Sequence, residues 1–323
     1  MHKGEVIKKA SVKAVPMDLV TSLKKWFKGA RIFSVYEAGF AGFVLHRELE
    51  RSGVKNIVIN AASLEVAAND RVKTDSRDSE KMARQLSFGT LRPCRIQSVK
   101  QELSRLSHRT RDQFISKRIS TGNQIKSKLF QFGLIAHDDN QVMSEKFLLK
   151  VEEYDLPEEL KFSLQLLVKI WRELSDQIKI LDQKVQEDNK KNDIIAAIAK
   201  VPGIGPLSAN IIYTELGDMS QFSNQSKLFS FLGLTPSEYS SGEATRKGRI
   251  TRQSPGRLRR ILIEVTWRNI QKDDYTREAY QRISAARGGK RAVVACARKL
   301  IGRIRASVLS QQDFCYKKPA VAI

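Results

Sequence analysis

The chain has 323 residues, 41% of them hydrophobic, and carries 57 Lys and Arg against 35 Asp and Glu, a formal net charge of +22. That length accommodates two domains with proper cores, and the composition is globular, which excludes a wholly disordered chain. The positive excess attracts polyanions and points to nucleic acid as the default partner, although a ribosomal or chromatin protein would show the same balance. The apolar runs fall short of a membrane span, and the N-terminus lacks the apolar core of a signal peptide. Cys94, Cys296 and Cys315 are widely separated and fit neither a disulfide framework nor a zinc site. His2, His46, His108 and His137 form no metal-ligand spacing and read as exposed or packing residues. The expectation is a soluble, cytoplasmic protein.

The first recognisable unit is α/β. Arg31 to Tyr36 reads as a short apolar strand ending at Glu37, and Ala38 to Gly42 turns into a helix over Phe43 to Arg51 that stops near Gly53. Val54 to Ile59 is the next strand. Strand, helix, strand at this spacing predicts a right-handed crossover and a parallel pair. Ligands of such sheets gather at the carboxyl ends of the strands, which is where Glu37 falls. After a short loop, Asp75 and Asp78 stand three residues apart at the start of a helix, on one face. Two adjacent carboxylates repel unless a cation shares them, and a hard divalent ion such as Mg2+ takes oxygen ligands of this kind. The alternative is a solvated helix start with Asp75 as cap and Asp78 complementing the dipole.

From Val99 to Leu129 a helical pattern runs through Leu103, Leu106 and Ile115, and residues 92–128 hold ten Lys or Arg against Glu102 and Asp112. Residues 141–200 are slightly acidic, ten basic against twelve acidic. In them Leu167, Ile170, Leu174, Ile178, Leu181 and Val185 fall at helical spacing, the stripe of a core-facing helix or a coiled-coil arm. Pro157 marks the start, with Asp155 as cap.

The remainder, with 21 basic and nine acidic residues beyond position 200, opens on Val201-Pro202-Gly203-Ile204-Gly205. This resembles a helix-hairpin-helix turn, in which Gly203 and Gly205 would let backbone N–H groups approach a DNA phosphate; an ordinary tight turn between helices is the alternative. Further on, Ser240-Ser241-Gly242 precedes seven cations with no acid among them: Arg246, Lys247, Arg249, Arg252, Arg257, Arg259 and Arg260. A Ser-Gly loop is commonly structural. Beside a guanidinium cluster that binds phosphate, however, a serine hydroxyl could attack phosphorus and form a covalent protein–DNA link.

Glu37 in Tyr-Glu-Ala-Gly, Lys73-Thr74-Asp75 with Asp78 and Ala83, the Pro-Gly-Ile-Gly turn, and Leu-Thr-Pro, Ser-Gly, Gly-Arg-Ile-Thr and Leu-Arg-Arg occur in one order between about residues 30 and 310. The set resembles the IS-one-ten, or DEDD, insertion-sequence transposases. The resemblance implies an RNase H/RuvC-like α/β domain over residues 1–130, a helical coiled-coil connector over 131–198, a mainly α transposase domain over 199–312 and a tail over 313–323. It assigns Glu37, Asp75 and Asp78 to the second, third and fourth metal-binding acids, with Mg2+ as cofactor, and Ser241 to the nucleophile, with Ser240 as nearest rival. It implies double-stranded DNA and a structured guide (bridge) RNA as partners, dimers that become tetramers on DNA, and nucleoid association when bound. The family's first acid lies on an opening Gly-Ile-Asp strand, whereas Met1 to Ala10 resembles the strand after it. The expectation is therefore a sheet lacking its first strand and its first acid. The function implied is RNA-guided excision and insertion of the element; the alternatives are an inactive nucleic-acid-binding remnant and a RuvC-like junction nuclease.

Overall fold

The computed structural model describes residues 1–2, 5–13, 15–60, 64, 74–136, 141–238, 247–251, 256–312 and 314, with the Lys247 side chain left aside. The chain is mostly helical and divides into two units, Met1–Val99 and Lys100–Ile323.

In the first unit α1 (Pro16–Trp26) precedes β1 (Phe33–Glu37), α2 (Val44–Arg51), β2 (Lys55–Ile59) and α3 (Asp75–Ser87). Phe33, Val35 and Tyr36 in β1, and Ile57, Val58 and Ile59 in β2, are the β-branched and aromatic types that fit a pleated surface. The two strands pair in parallel with Phe33 opposite Lys55 and Glu37 opposite Ile59, as the strand–helix–strand spacing predicts. Val58 and Ile59 are fully buried, in keeping with the covered faces of parallel sheets. The far edge of β2 is closed by Pro93 and by the Cys94 amide, which donates to the Val58 carbonyl at 2.6 Å. Among the described residues the sheet has two strands. The opening residues, which resemble a strand, contribute only a bridge between His2 and Glu5. A helix the sequence reading did not anticipate, α1, packs on α2, and Val20, Leu49 and Val54 form the small core between them.

The second unit begins with α4 (Val99–Ser104) and α5 (Leu106–Gln131) and continues through α6 (Glu145–Glu152), α7 (Glu158–Lys190), α8 (Asp193–Ala199) and α9 (Pro206–Leu216). It is completed by α10 (Gln225–Phe231), the antiparallel pair β3 (Pro236–Glu238) and β4 (Lys247–Ile250), α11 (Gly256–Lys272), α12 (Asp274–Arg287) and α13 (Gly289–Ser310). Arg111 meets Asp182 and Arg118 meets Ser175, so α5 and α7 run antiparallel as a hairpin. Ile125 and Leu129 of α5 pack with Leu160, Leu164, Val168 and Trp171 of α7.

Three expectations are corrected here. Leu103, on the separate short helix α4, and Leu106, at the start of α5, are more than half exposed, at 58% and 55%, while the buried residues of α5 include Thr121, Gly122, Ile125 and Leu129 in its later turns. The expected stripe of α7 holds in its later turns, where Ile178 and Val185 are buried, but in the earlier turns Leu164, Val168 and Trp171 are inside while Ile170 is 49% exposed. Helix α7 starts after Pro157 as expected, but Asp155 makes no cap, since Pro157 itself occupies the N-cap position without a side-chain bond.

The core of the second unit lies where α8, α9, α10, α11 and α13 converge, around Ile198, Ile212, Leu216, Leu228, Leu232, Leu258, Leu262, Leu300 and Ile301. Each fully buried aliphatic side chain contributes about 2 kcal/mol of transfer free energy. The Val201–Gly205 turn sits against α11. Gly203 has φ +84°, and a Cβ there would lie 2.6 Å from the Asn269 amide nitrogen, while Asn269 Nδ2 donates to the Pro202 carbonyl at 2.8 Å. Only glycine combines that φ with that approach.

Among the described residues a buried charge cluster lies beside this core. Glu215, the one charged residue of α9, is 2% exposed and accepts two bonds from Arg109, at 2.9 Å from Nε and 2.8 Å from Nη2. Arg105, also buried, donates to the carbonyls of Thr214 (2.9 Å) and Glu215 (2.6 Å). Burial alone would raise the Glu215 carboxyl, but the bonds and charges of Arg109 and Arg105 outweigh it and hold the group below the usual carboxylate range. Between the two arginines, His108 is fully buried and its Nε2 lies 2.8 Å from Thr214 Oγ1. That hydroxyl is 2.7 Å from the Asn210 carbonyl and donates to it, so the histidine must be the donor and carries its proton on Nε2. Burial first, and then the Arg257 charge, push the imidazole down to about 3.

This lowering fixes the pH dependence of stability. A histidine whose folded pKa lies below its unfolded value leaves the unfolded chain to take the proton first, so stability falls with pH from about 6.5 toward about 3. Glu215 enters only below its ordinary 4.5, so within this cluster the window from 6.5 to 4.5 belongs to His108. Urea midpoints measured across that window should decline in the native chain and flatten in His108→Gln, which keeps a donor toward Thr214. Equal slopes in the two proteins would contradict the assignment.

Candidate nucleic-acid interface

The acidic residues singled out in the first unit sit on regular elements. Glu37 is the last residue of β1 and is exposed. Just beyond it the chain is fixed by the Ala38 amide, which donates to the Ile59 carbonyl at 2.8 Å. Asp75 opens α3, which packs against β1. The N-cap is Thr74, not Asp75: Thr74 is extended, its Oγ1 accepts from the Arg77 amide at 3.4 Å, and its carbonyl accepts from the Asp78 amide at 2.9 Å. Asp75 and Asp78 therefore both fall in the first turn, where carboxylates complement the helix dipole. Asp78 also lies 3.8 Å from Lys81 Nζ.

As hard oxygen donors open to water, these carboxylates suit a divalent ion chemically. Their arrangement does not yet suit one. Among the described residues no three His, Cys, Asp or Glu side chains gather closely enough to hold a metal, so Glu37, Asp75 and Asp78 are not brought into one ligand set.

In the second unit, Gly203 presents its open side to α11 and not to solvent, as described above; Gly205 has free space where a Cβ would be and caps the start of α9. Ser240, Ser241 and Gly242, together with Arg246 and Arg252, lie outside the described residues, on segments of chain that follow β3 and β4. Lys247 and Arg249 belong to β4, and Arg249 is exposed.

Three arginines that the sequence groups together separate in space. Arg257 turns inward: its Nε lies 2.8 Å from Asp112 Oδ2 and its Nη2 donates to the His108 carbonyl at 2.9 Å. Burial pushes its pKa down, although Asp112 opposes that. Arg257 therefore fastens α11 to α5 and is removed from the phosphate-binding set. Arg259 lies nearby and is partly buried. Arg260 remains 62% exposed at the side chain, loosely placed between Asp112 (3.4 Å) and Glu264 (3.7 Å). The basic stretch 92–128 loses members in the same way, since Arg105 and Arg109 serve Glu215, and Arg111 serves Asp182. The sequence signal for the Arg105 and Arg109 contacts is a lone acid, Glu215, in the otherwise uncharged stretch from Ala209 to Leu216.

Among the described residues no helix is long and apolar enough to cross a membrane.

Residues 195–281, from α8 into α12, match the family described as "Transposase IS116/IS110/IS902 family". A transposase-type protein of Sinorhizobium fredii, y4pF/y4sB, is 28% identical over 194 residues, which are 60% of this chain and 50% of that protein. A second from the same organism, y4qE, is 26% identical over 269 residues, 82% of this chain and 66% of its own length. The transposase for insertion sequence element IS1111A of Coxiella burnetii is 26% identical over 248 residues, 75% of this chain and 68% of that one. The match thus spans between half and two thirds of the two Sinorhizobium proteins. The matched domain is built on the α8–α12 core, and over residues 195–281 the chain is similar to the transposases of the IS116/IS110/IS902 family.

Proposed function

We propose that this chain acts on double-stranded DNA as the transposase of its own insertion sequence, excising and inserting the element by serine-based strand transfer. The observation that carries this reading is the coincidence of the family match, residues 195–281, with the helices that bracket the Ser240-Ser241-Gly242 segment and its cations. In this reading the Ser241 hydroxyl attacks a backbone phosphorus. The serine–phosphorus bond forms as the phosphorus–oxygen bond to the neighbouring nucleotide breaks, and the phosphodiester energy is kept for rejoining. Arg246, Lys247, Arg249 and Arg252 hold the phosphate and offset the charge that develops on it. The first unit contributes an RNase H/RuvC-like carboxylate domain, with Asp75 and Asp78 as the pair that would hold Mg2+ and Glu37 as the acid to be drawn in. Such an ion would supply charge neutralisation at phosphate. Helices α5 and α7 form the arm through which copies assemble as dimers, then tetramers on DNA, and a structured guide RNA made by the element selects the target.

One observation favours a second reading, a chain that binds nucleic acid without transferring strands: the three carboxylates do not gather among the described residues. Trapping decides between the two. Incubated with DNA bearing element ends, the native chain should yield a covalent DNA–peptide adduct mapped by mass spectrometry to Ser241. Ser241→Ala should abolish the adduct while Ser240→Ala retains it. An adduct that survives Ser241→Ala and vanishes in Ser240→Ala moves the nucleophile by one residue, and persistence in both removes the serine mechanism.

Binding offers an independent check. Each phosphate neutralised contributes about 0.9 to the slope of log affinity against log salt. Replacing Arg246, Lys247 and Arg249 together by Ala should flatten the slope for duplex DNA by about two to three. Arg257→Ala should leave the slope as it is and lower the thermal midpoint instead, because it strips Asp112 of its shorter ion pair and the His108 carbonyl of its donor. A flattened slope in Arg257→Ala would return that residue to the interface.

A further inference from the structure

The matched domain carries an exposed aromatic pair to which nothing above assigns a role. Of the three tryptophans, Trp171 is 9% exposed within the α5–α7 core, and Trp26 is partly covered by Lys8, whose Nζ stands 4.5 Å from the ring centroid. Trp267, on α11, is 43% exposed. Its ring meets Tyr280 of α12 edge to face, with centroids 5.3 Å apart. Tyr280 in turn rests on the start of α13: a Cβ on Gly289 would lie 3.0 Å from its hydroxyl oxygen. Gly289 thus leaves room for the tyrosine, and the tyrosine edge steadies the indole. Three helices therefore fix one platform whose indole still faces water.

The surroundings are cationic. Arg287 follows Tyr280 by two turns on α12, and Lys290 and Arg291 follow Gly289 in the first turn of α13; all three are exposed. None of the three is paired with a carboxylate among the described residues. Of the acids on and between α11 and α12, Glu264 stands 3.7 Å from Arg260, Asp274 bonds Arg277 at 2.7 Å, and the buried Asp273 holds Arg303 at 2.8 Å, while Glu278, two residues before Tyr280, is exposed. A steadied indole on helices that carry unpaired cations is the combination that binds single strands, because every base offers a π-face and every nucleotide a phosphate. A duplex keeps its bases stacked and gives such a ring nothing to hold.

We infer that the Trp267–Tyr280 platform, with Arg287, Lys290 and Arg291, is a docking surface for unpaired bases of single-stranded DNA. This rests on the proposed strand-transferring function, since breaking and rejoining duplexes leaves bases transiently unpaired. The surface holds such a strand by stacking and charge, independent of its sequence.

The test uses the full chain, a labelled oligothymidine, an oligouridine of equal length and a duplex, with affinity read by fluorescence anisotropy. Trp267→Ala should weaken oligothymidine binding about tenfold and leave duplex affinity within about twofold. Oligothymidine should quench tryptophan emission in the native chain and in Trp26→Phe, and quenching should be lost in Trp267→Phe, which keeps an aromatic ring against Tyr280 and guards against misfolding. Unchanged affinity in Trp267→Ala, or equal losses for oligothymidine and duplex, would overturn the inference. Tighter binding of oligouridine with the loss confined to it would overturn the assignment to DNA. A native chain that binds oligothymidine through Trp267 but no duplex would instead bring down the functional reading beneath it while sparing the platform.

Discussion

The second unit is organised around one buried carboxylate. Glu215 sits on an apolar helix that packs into the main core, where an unpaired charge would cost several kcal/mol. The cost is offset by a two-bond contact from Arg109, by the nearby Arg105 guanidinium, and by keeping His108 neutral between them. Each of those partners comes from the first turns of α5. Their engagement commits that end of the helix to α9, and Asp112, one turn further, receives Arg257 from α11. The same helix then runs on to pair with α7. A single acid thereby ties the matched transposase domain to the long hairpin that precedes it.

This arrangement changes what the charge of +22 means. Counted along the sequence, residues 92–128 and 246–260 are two phosphate-binding clusters. In space several of the most prominent cations are structural: Arg105, Arg109, Arg111 and Arg257 all face acids of the same unit. What remains for a polyanion is a sparser set, Arg249 on β4 and the cations around the start of α13 among them. Exposed pairs such as Arg260 with Glu264 contribute little to stability and yield readily to a phosphate.

How much of this was legible depends on whether a signal is local. β1, α2 and β2 follow from composition and turn residues over a few positions, and the structure reproduces them to within one or two residues of the expected ends. The start of α7 after Pro157 is equally local. Burial is not. Leu103 and Leu106 satisfy a helical pattern yet face outward, because the partner surface on α7 meets the later turns of α5. The glycine pattern at 203–205 identifies the turn correctly but not its neighbour, which is α11, 66 positions further on at Asn269. Arg257 illustrates the limit most plainly. Every charged residue near it between 246 and 260 is a cation, and only the fold brings Asp112 to it. On the side of the candidate site, the helix start at Asp75 was readable, whereas the capping role of Thr74 was assigned to Asp75 because both types cap helices well.

The division of the arginines into those that build the fold and those proposed to meet DNA can be read directly by dicarbonyl modification of the native chain, with and without duplex DNA, followed by peptide mass spectrometry. The account predicts that Arg105 and Arg257 resist modification in both states, whereas Arg249, Arg287 and Arg291 react in the free protein, with Arg249 protected by duplex DNA. Ready modification of Arg257 in the free chain, with protection by DNA, would contradict it.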